Sequence, residues 1–546
     1  MMIGRTWRDI GLAFLISILG AAIAWGLATG LPVIGIDDAA ITRSYAENIA
    51  NGHGYVYNVG GERVEGSTTL LWVLILTVLY ALTDTPELLV VGATFGLSVL
   101  AVFCSLRLTR AFCDWLEINQ IVPVLVLSIL LLASPGYFMW SVWTMMELAL
   151  WSAFALAFLL LIARSVELEL SRSGYVLIGI VAFCLPMIRP EGIALALGLL
   201  GVAVILRPSV WRSSLVAGVI AVAVFVAITA FRISYFGQPF PNTFYAKVSS
   251  DRLQDLADGT KYMLSFLLGG AFVEVFVAAW FVAVGWALAT LSTRIAGNRA
   301  LVLAGVFVAG FLVVYAVLGG DHFALWRFYQ PIAPLLPVAL ALGLGGMAQH
   351  FMGGPSSRRN VLAVPALCFT LGALGIGWLQ YFQARFFVQS EFRLVERGVS
   401  FGEYLSDAEP APIIGVGPAG GIALGYDGEI LDLLGLNWTV MAHANPLKVG
   451  MRNHASFHKP TFWTNSPDVV ATFNWDCSAQ AQQSWPRLGT EFEGLFMDAD
   501  FRQQYRPVLF QDGGSCWPGF AKPSWIDGAI IDGMTVLDWS DVSIRE

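Results

Sequence analysis

Residues 10–31 read IGLAFLISILGAAIAWGLATGL, with no charged side chain, and Asp37 and Asp38 follow six residues later. At 1.5 Å per residue this run makes a helix of about 33 Å, enough to cross ~30 Å of hydrocarbon. Comparable runs lie near 87–106, 120–134, 146–163, 174–188, 191–206, 213–233, 272–292, 300–319, 328–349 and 361–380. Over 546 residues, 57% are apolar and 13% charged, and the mean hydropathy is +0.68. Soluble chains carry ~25% charged residues, so this one cannot clothe a water-facing surface. A cytosolic enzyme, a nucleic-acid binder and a disordered scaffold are excluded. The reading is an α-helical polytopic membrane protein of about eleven transmembrane helices, with the lipid bilayer as a partner and no nucleic acid.

Residues 68–82 form a further apolar stretch, at about 22 Å too short to span, and are read as an interfacial or re-entrant helix. Charge supports that choice, because basic residues collect at cytoplasmic ends. With the N-terminus inside and eleven spans, each inner end carries a pair: Arg5/Arg8, Arg107/Arg110, Arg164/Arg172, Arg207/Arg212, Arg294/Arg299 and Arg358/Arg359. A twelfth span would place the later pairs outside. The first segment is read as an uncleaved anchor. The net charge of −8 then has a location, since residues 381–546 are acidic and extracytoplasmic. Two domains are expected: a membrane domain at 1–380, whose first outer loop is 32–86, and a small α/β soluble domain at 381–546. Cys104, Cys113, Cys184 and Cys368 lie in or beside spans and are read as packing residues. Cys477 and Cys516 are the tail's two cysteines, and an oxidising compartment makes them a disulfide candidate.

The unusual polar residues gather on the outer side. From Asp38 to Asn51 the spacing predicts a short amphipathic helix with Ile41, Tyr45 and Ile49 on one face. Asp37 and Asp38 open it. Capping needs one carboxylate, and two suggest a general base or a cation site. The other outer elements supply Glu65, Glu147, Arg189, Glu191, Lys247, Asp321, His322 and Arg327. Charges beside hydrocarbon are costly unless paired or solvated. This mixture suits sugar transfer from a lipid-linked phosphate: Arg189, Lys247 and Arg327 hold the donor phosphate, and Asp37, with Asp38, takes the acceptor's proton. Glu65, Glu147, Glu191, Asp321 and His322 position the substrate or orient the basic residues. The residues name no cofactor, and a divalent cation at Asp38 is compatible with the pattern.

The first loop (DDAAITRSYAEN, then GHGYVYNVGGERVEGSTTLLW), with the later RPEG, PNTFYAK, GGDH…RF and GEILDLLGLN motifs in order, resembles membrane glycosyltransferases of the GT-C class. Within that class it is similar to the mycobacterial terminal β-arabinofuranosyltransferases and their bacterial relatives. The resemblance spans roughly residues 30–440. It implies transfer of a sugar, arabinofuranose or a hexose, from a polyprenyl phosphate to an envelope glycan, lipid or protein. The reaction is then placed on the periplasmic face of a bacterial inner membrane, with Asp37 and Asp38 as catalytic carboxylates. Ala40, Ser67 and His322 stand where the family favours aromatic residues, which leaves sugar and acceptor open. A lipid A sugar transferase or protein O-glycosyltransferase is the near alternative. A non-catalytic lipid-glycan transporter is the distant one, against which the absence of an internal repeat speaks.

Two tail motifs invite other readings. Gly415–Gly420 spells GxGxxG with Asp432 downstream, but without an expected βαβ context it is read as a glycine turn after a strand. His443, His454 and His458 lack the Glu of HExxH and are read as loop histidines rather than a zinc site. The tail's seven tryptophans are read as packing residues first and sugar-stacking platforms second.

Overall fold

The computed structural model describes residues 2–268, 298–352, 356–444, 457–471 and 492–542. It is mostly helical and divides into two compact units. One comprises residues 1–33, 87–228 and 259–389, the other residues 34–86, 229–258 and 390–546.

The first unit is a helical membrane body. Five helices of the described residues are long and apolar enough to span: Thr6–Leu27, Glu87–Leu116, Leu148–Glu167, Pro208–Phe236 and Arg299–Val317. Arg172–Ile188, Gly192–Leu206 and Leu336–Gln349 are shorter apolar helices. The run at 272–292 lies outside the described residues. Leu148–Glu167 is the central helix, with 78% of its apolar window buried against 28–39% for the other four. It packs on Glu87–Leu116, Arg172–Ile188 and Arg299–Val317.

Contacts within this unit join ends that the charge pattern assigns to one side. Asp9, buried near the start of the first helix, accepts from Arg107 Nη1 at 2.9 Å and Arg110 Nε at 2.7 Å. Arg207 Nη1 donates to Ser165 O at 2.9 Å, and Gln349 Nε2 to Glu117 O at 2.9 Å.

Three expected spans differ in detail. The run at 120–134 is not one straight span: Ile121–Leu132 breaks, and Pro135–Trp143 continues at 67°. Pro135 has no N–H to continue the ladder, so it opens a new helix instead. The run at 328–349 begins with a 3-10 turn, Arg327–Ile332, and becomes α-helical only at Leu336, after Pro331 and Pro334. The run at 361–380 belongs to a continuous helix, Ser356–Ser406, that extends well beyond it.

The second unit gathers the first loop, residues 229–258 and the tail. Its outer-loop helix is Asp37–Ala50, where the spacing predicts one, but it is not amphipathic: Thr42, Arg43 and Ser44 are buried along with Ile41 and Tyr45, and Ile49 is only half-buried. Leu70–Tyr80 lies along that helix rather than leaving it. At one end Ser67 Oγ is 3.2 Å from both Thr42 Oγ1 and Thr69 Oγ1, and at the other Arg43 Nε donates to Tyr80 Oη at 3.3 Å. Trp72, Val73 and Leu76 are buried while Leu74, Val78 and Leu82 are exposed, so one apolar face of this short helix is left outward.

The tail carries a six-stranded mixed sheet. In chain order the strands are β1 (Ile414–Val416), β2 (Ile430–Asp432), β3 (Val469–Ala471), β4 (Arg506–Asp512), β5 (Ser515–Ala521) and β6 (Met534–Val536), arranged 2-1-3-5-4-6. β1 is parallel to β2 and β3, and the remaining pairs are antiparallel. The core includes Leu433, Trp438, Phe462, Phe501, Tyr505 and Phe520. Trp517 and Trp525 are also buried, and Trp463 and Trp539 pack against the core, so the described tryptophans serve packing. Cys516 is disulfide-bonded, and Cys477 lies outside the described residues.

Candidate functional site

The residues singled out by sequence fall into two groups, one in each unit.

In the first unit, Glu147 precedes the central helix, and Arg189 and Glu191 occupy the Arg189-Pro190-Glu191 turn between two shorter apolar helices. Arg189 Nη1 donates to Glu147 Oε1 and Arg189 Nε to Glu191 Oε1, both at 2.6 Å. Tyr315 Oη also donates to Glu191 Oε1, at 2.9 Å. Asp321 and Arg327 pair in a fork, Nε to Oδ2 at 2.7 Å and Nη2 to Oδ1 at 3.1 Å. Leu325 and Trp326 both adopt positive φ, and this kink turns Arg327 back onto Asp321. His322 is beside the same carboxylate, its Nδ1 3.5 Å from Asp321 Oδ1.

These groups meet around Phe328, whose ring centroid is 5.3 Å from the Arg189 guanidinium carbon and 5.0 Å from that of Arg327. A cleft there is lined by Glu147, Trp151, Arg189, Tyr315, Arg327 and Phe328, among others. Glu147, Glu191 and Asp321 are thus each paired with one of the two arginines. Three carboxylates against two guanidiniums leave this cluster without surplus positive charge.

In the second unit, Asp37 does not cap its own helix. Ile36 holds the cap position without a side-chain bond. The Asp37 carboxylate reaches the tail instead: Oδ1 accepts from Gly420 N at 3.0 Å and Gly421 N at 2.9 Å, and Oδ2 shares the Gly420 N–H at 3.0 Å. Burial pushes the Asp37 carboxyl up to about 6. The two amides pull against that rise, and the charges of Asp38 and Asp432 add to it. Asp38, next along the helix, is half-buried.

The turn holding Asp37 is the GxGxxG stretch, and its context corrects the sequence reading. β1, the turn, a helix at Gly420–Gly425 and the parallel strand β2 form a small βαβ unit. The glycine amides that would face a phosphate in a dinucleotide site face Asp37 here. Asp432, at the end of β2, is tied into its own loop. Oδ1 accepts from Leu434 N at 3.0 Å and Gly435 N at 3.1 Å, and Oδ2 from Asn437 N at 2.8 Å and Asn437 Nδ2 at 2.9 Å. Burial raises its carboxyl to about 6 as well.

Glu65 forms a buried bidentate pair with Arg232, Oε2 with Nε at 2.7 Å and Oε1 with Nη2 at 2.9 Å. Lys247 ends the short helix Asn242–Lys247; it is half-buried, and no ion pair holds it among the described residues.

Several contributors escaped the sequence reading. Arg232, Tyr315 and Trp151 were not singled out, and Asp432 entered only as the acid downstream of the GxGxxG stretch. A charge near the end of an apolar run was the one available signal, for Arg232. Among the described residues no three metal-ligating side chains converge. His443 stacks on Tyr245 with centroids 4.2 Å apart, and His458 Nδ1 is 2.9 Å from Thr461 Oγ1. His454 lies outside the described residues.

No family model matches the sequence, and no curated protein matches it. Solved structures do. ArnT from Cupriavidus metallidurans bound to undecaprenyl phosphate is 14% identical with a TM-score of 0.54, over 94% of this chain and 98% of that one. The Archaeoglobus fulgidus oligosaccharyltransferase in complex with Zn and sulfate is 12% identical with a TM-score of 0.53, over 95% of this chain and 74% of that one. AglB, the oligosaccharyltransferase of the same organism, in complex with an inhibitory peptide and a dolichol-phosphate, is also 12% identical at 0.53, over 96% and 75%. The structural neighbours of this chain are GT-C glycosyltransferases, and it has their fold: a multi-pass helical membrane body with a small C-terminal sheet.

Proposed function

We propose that this protein is a membrane glycosyltransferase that takes a sugar from a polyprenyl phosphate and transfers it to an envelope acceptor on the extracytoplasmic face. The observation that carries the reading is the likeness, over nearly the whole of both chains, to a structure bound to undecaprenyl phosphate. Asp37 is the base. The acceptor O–H bond breaks, its proton passes to the Asp37 carboxylate, and the freed oxygen attacks the anomeric carbon. The bond from that carbon to the phosphate oxygen breaks, and polyprenyl phosphate leaves with the electron pair. Arabinofuranose is the proposed sugar, on the first-loop and PNTFYAK motifs. Transfer to lipid A is the second reading, favoured by the coverage of the ArnT chain. The bacterial inner membrane, with the N-terminus in the cytoplasm and the tail in the periplasm, is proposed from the basic pairs.

The structure changes the weight given to the three phosphate ligands. Arg189 and Arg327 are neutralised by carboxylates, so each must share or release a partner to take a phosphate. Among the described residues Lys247 has no such competitor, and we assign it the primary contact. Losing a charged hydrogen bond of this kind is worth about 1.5–3 kcal/mol. Lys247→Met is therefore expected to raise the KM for the lipid donor about tenfold to a hundredfold with little change in kcat, measured by donor titration in detergent.

The reading is tested with purified protein, labelled polyprenyl-phosphate arabinose and a glycan acceptor. Product formation supports it. Movement of intact lipid-linked sugar across vesicles with no glycosidic bond formed would establish the transporter instead. Because the base must be ionised, transfer is expected to fall as pH drops through about 6, the value to which Asp37 is raised, and to level off above it. A rate independent of pH between 5 and 8, roughly the range spanning that titration, would count against Asp37.

A further inference from the structure

Open α/β sheets take their ligands at the carboxyl ends of parallel strands. In this tail the carboxyl ends of β1 and β2 are occupied by the chain's own first loop. Asp37 lies on the amides of Gly420 and Gly421, and Tyr57 Oη donates to Ala419 O in the same turn at 2.5 Å. Tyr45 Oη donates at 3.0 Å to Asn437 Oδ1 in the loop after β2. From residues 229–258, Asn242 Nδ2 donates to Gly435 O at 2.8 Å and Leu436 O at 2.9 Å. The approach is close enough to demand glycine. A Cβ on Gly420 would lie 1.9 Å from the Asp37 carbonyl oxygen, and one on Gly421 would lie 2.5 Å from Val395 O. Both obstacles are backbone atoms and cannot swing aside.

We infer that the glycine turn of the C-terminal sheet is the positioning element of the transfer reaction, holding the Asp37 carboxylate in one orientation through the Gly420 and Gly421 amides, with Tyr57 bracing the turn. This rests on the reading of Asp37 as the base. Oδ1 takes both amides while Oδ2 only shares one, so Oδ2 keeps a lone pair for the acceptor's proton. Such pinning matters because misplacing a reacting group by about 1 Å can cost 10²-fold in rate. The sheet edge thus supplies no ligand pocket of its own, and Gly420, Gly421 and Tyr57 are positioning residues. The charged or titratable groups acting on Asp37 are Asp38 from its own helix and Asp432 from β2, and Tyr57 in the loop is a phenol on which the Asp37 charge acts.

The test uses the full-length protein in detergent with the polyprenyl-phosphate sugar assay, comparing Gly420→Ala, Tyr57→Phe and Asp37→Asn. Gly420→Ala is expected to lower kcat about 100-fold and Tyr57→Phe about tenfold, each leaving donor and acceptor KM within about twofold, the pattern of an interaction felt in the transition state alone. Tyr57→Phe preserves shape, so it decides the matter if Gly420→Ala does not fold. Wild-type kcat in Tyr57→Phe, or a rise in KM at unchanged kcat, overturns the positioning role. Inactive Asp37→Asn beside those outcomes leaves the base reading intact, whereas full activity of Asp37→Asn removes both.

Discussion

Asp37→Asn is expected to lower sugar transfer by about 10²–10⁴-fold, the range that positioned general bases contribute, while the protein folds and binds donor normally. The substitution keeps size and shape. An Asn side chain can still present its carbonyl oxygen to the Gly420 and Gly421 amides, which the carboxylate meets at 2.9–3.0 Å. The change removes the charge and the proton-accepting oxygen. Because Asp37 is buried and its carboxyl already raised to about 6, stability at neutral pH should not fall, since a neutral side chain is less costly to bury there. Asp38→Asn should have a smaller effect, because Asp38 is half-buried and the Gly420 and Gly421 amides hold Asp37. Initial rates with a polyprenyl-phosphate sugar, together with a thermal melt of each variant, separate these outcomes. Normal transfer by Asp37→Asn would remove the proposed base.

The second large effect is structural. Glu65→Ala should destabilise the protein by about 3–5 kcal/mol, the cost of stranding a buried charge when its partner is cut away. Glu65 and Arg232 each have about 4% of the side chain exposed and meet through two parallel bonds, so the arginine left behind has little access to water. Burial nevertheless keeps the Glu65 carboxyl above its usual range against the pull of the arginine, which shows how dry the site is. Removing both charges should be much milder. Glu65→Leu combined with Arg232→Met is expected to recover most of the loss, because a paired deletion leaves no uncompensated ion. Denaturant unfolding of Glu65→Leu, Arg232→Met and the double variant in detergent, beside Glu65→Ala, closes the cycle. A double variant whose loss equals the sum of the two single losses would mean that the pair carries no coupling.

Much of the membrane architecture was legible because hydrophobic transfer is additive along a chain. A run without charges announces a span locally, and the basic pairs at alternate ends set parity without any knowledge of packing. Residues 68–82 were assigned to an interface on length and charge alone, and Leu70–Tyr80 packs on the outer-loop helix. Proline breaks were visible in principle, but the 67° bend at Ser134 depends on neighbours that reward a reoriented helix.

The site was half legible. Composition and position marked Glu147, Arg189, Glu191, Asp321 and Arg327 as charges too costly to be idle beside hydrocarbon, and the structure brings them together around Phe328. Which charge neutralises which is a matter of ångström-scale distance between segments far apart in sequence. Sequence therefore could not foresee that Arg189 is held by two carboxylates, or that Glu65 answers Arg232 across 167 positions. The glycine turn makes the same point from the other direction. Its GxGxxG pattern declared a glycine turn after a strand, which is what β1 and the turn before Gly420–Gly425 form. The identity of the approaching group, the Asp37 carboxylate from 383 residues earlier, was decided by tertiary structure alone, since hydrogen bonds are short-ranged and a linear pattern carries no record of which segment folding will deliver to them.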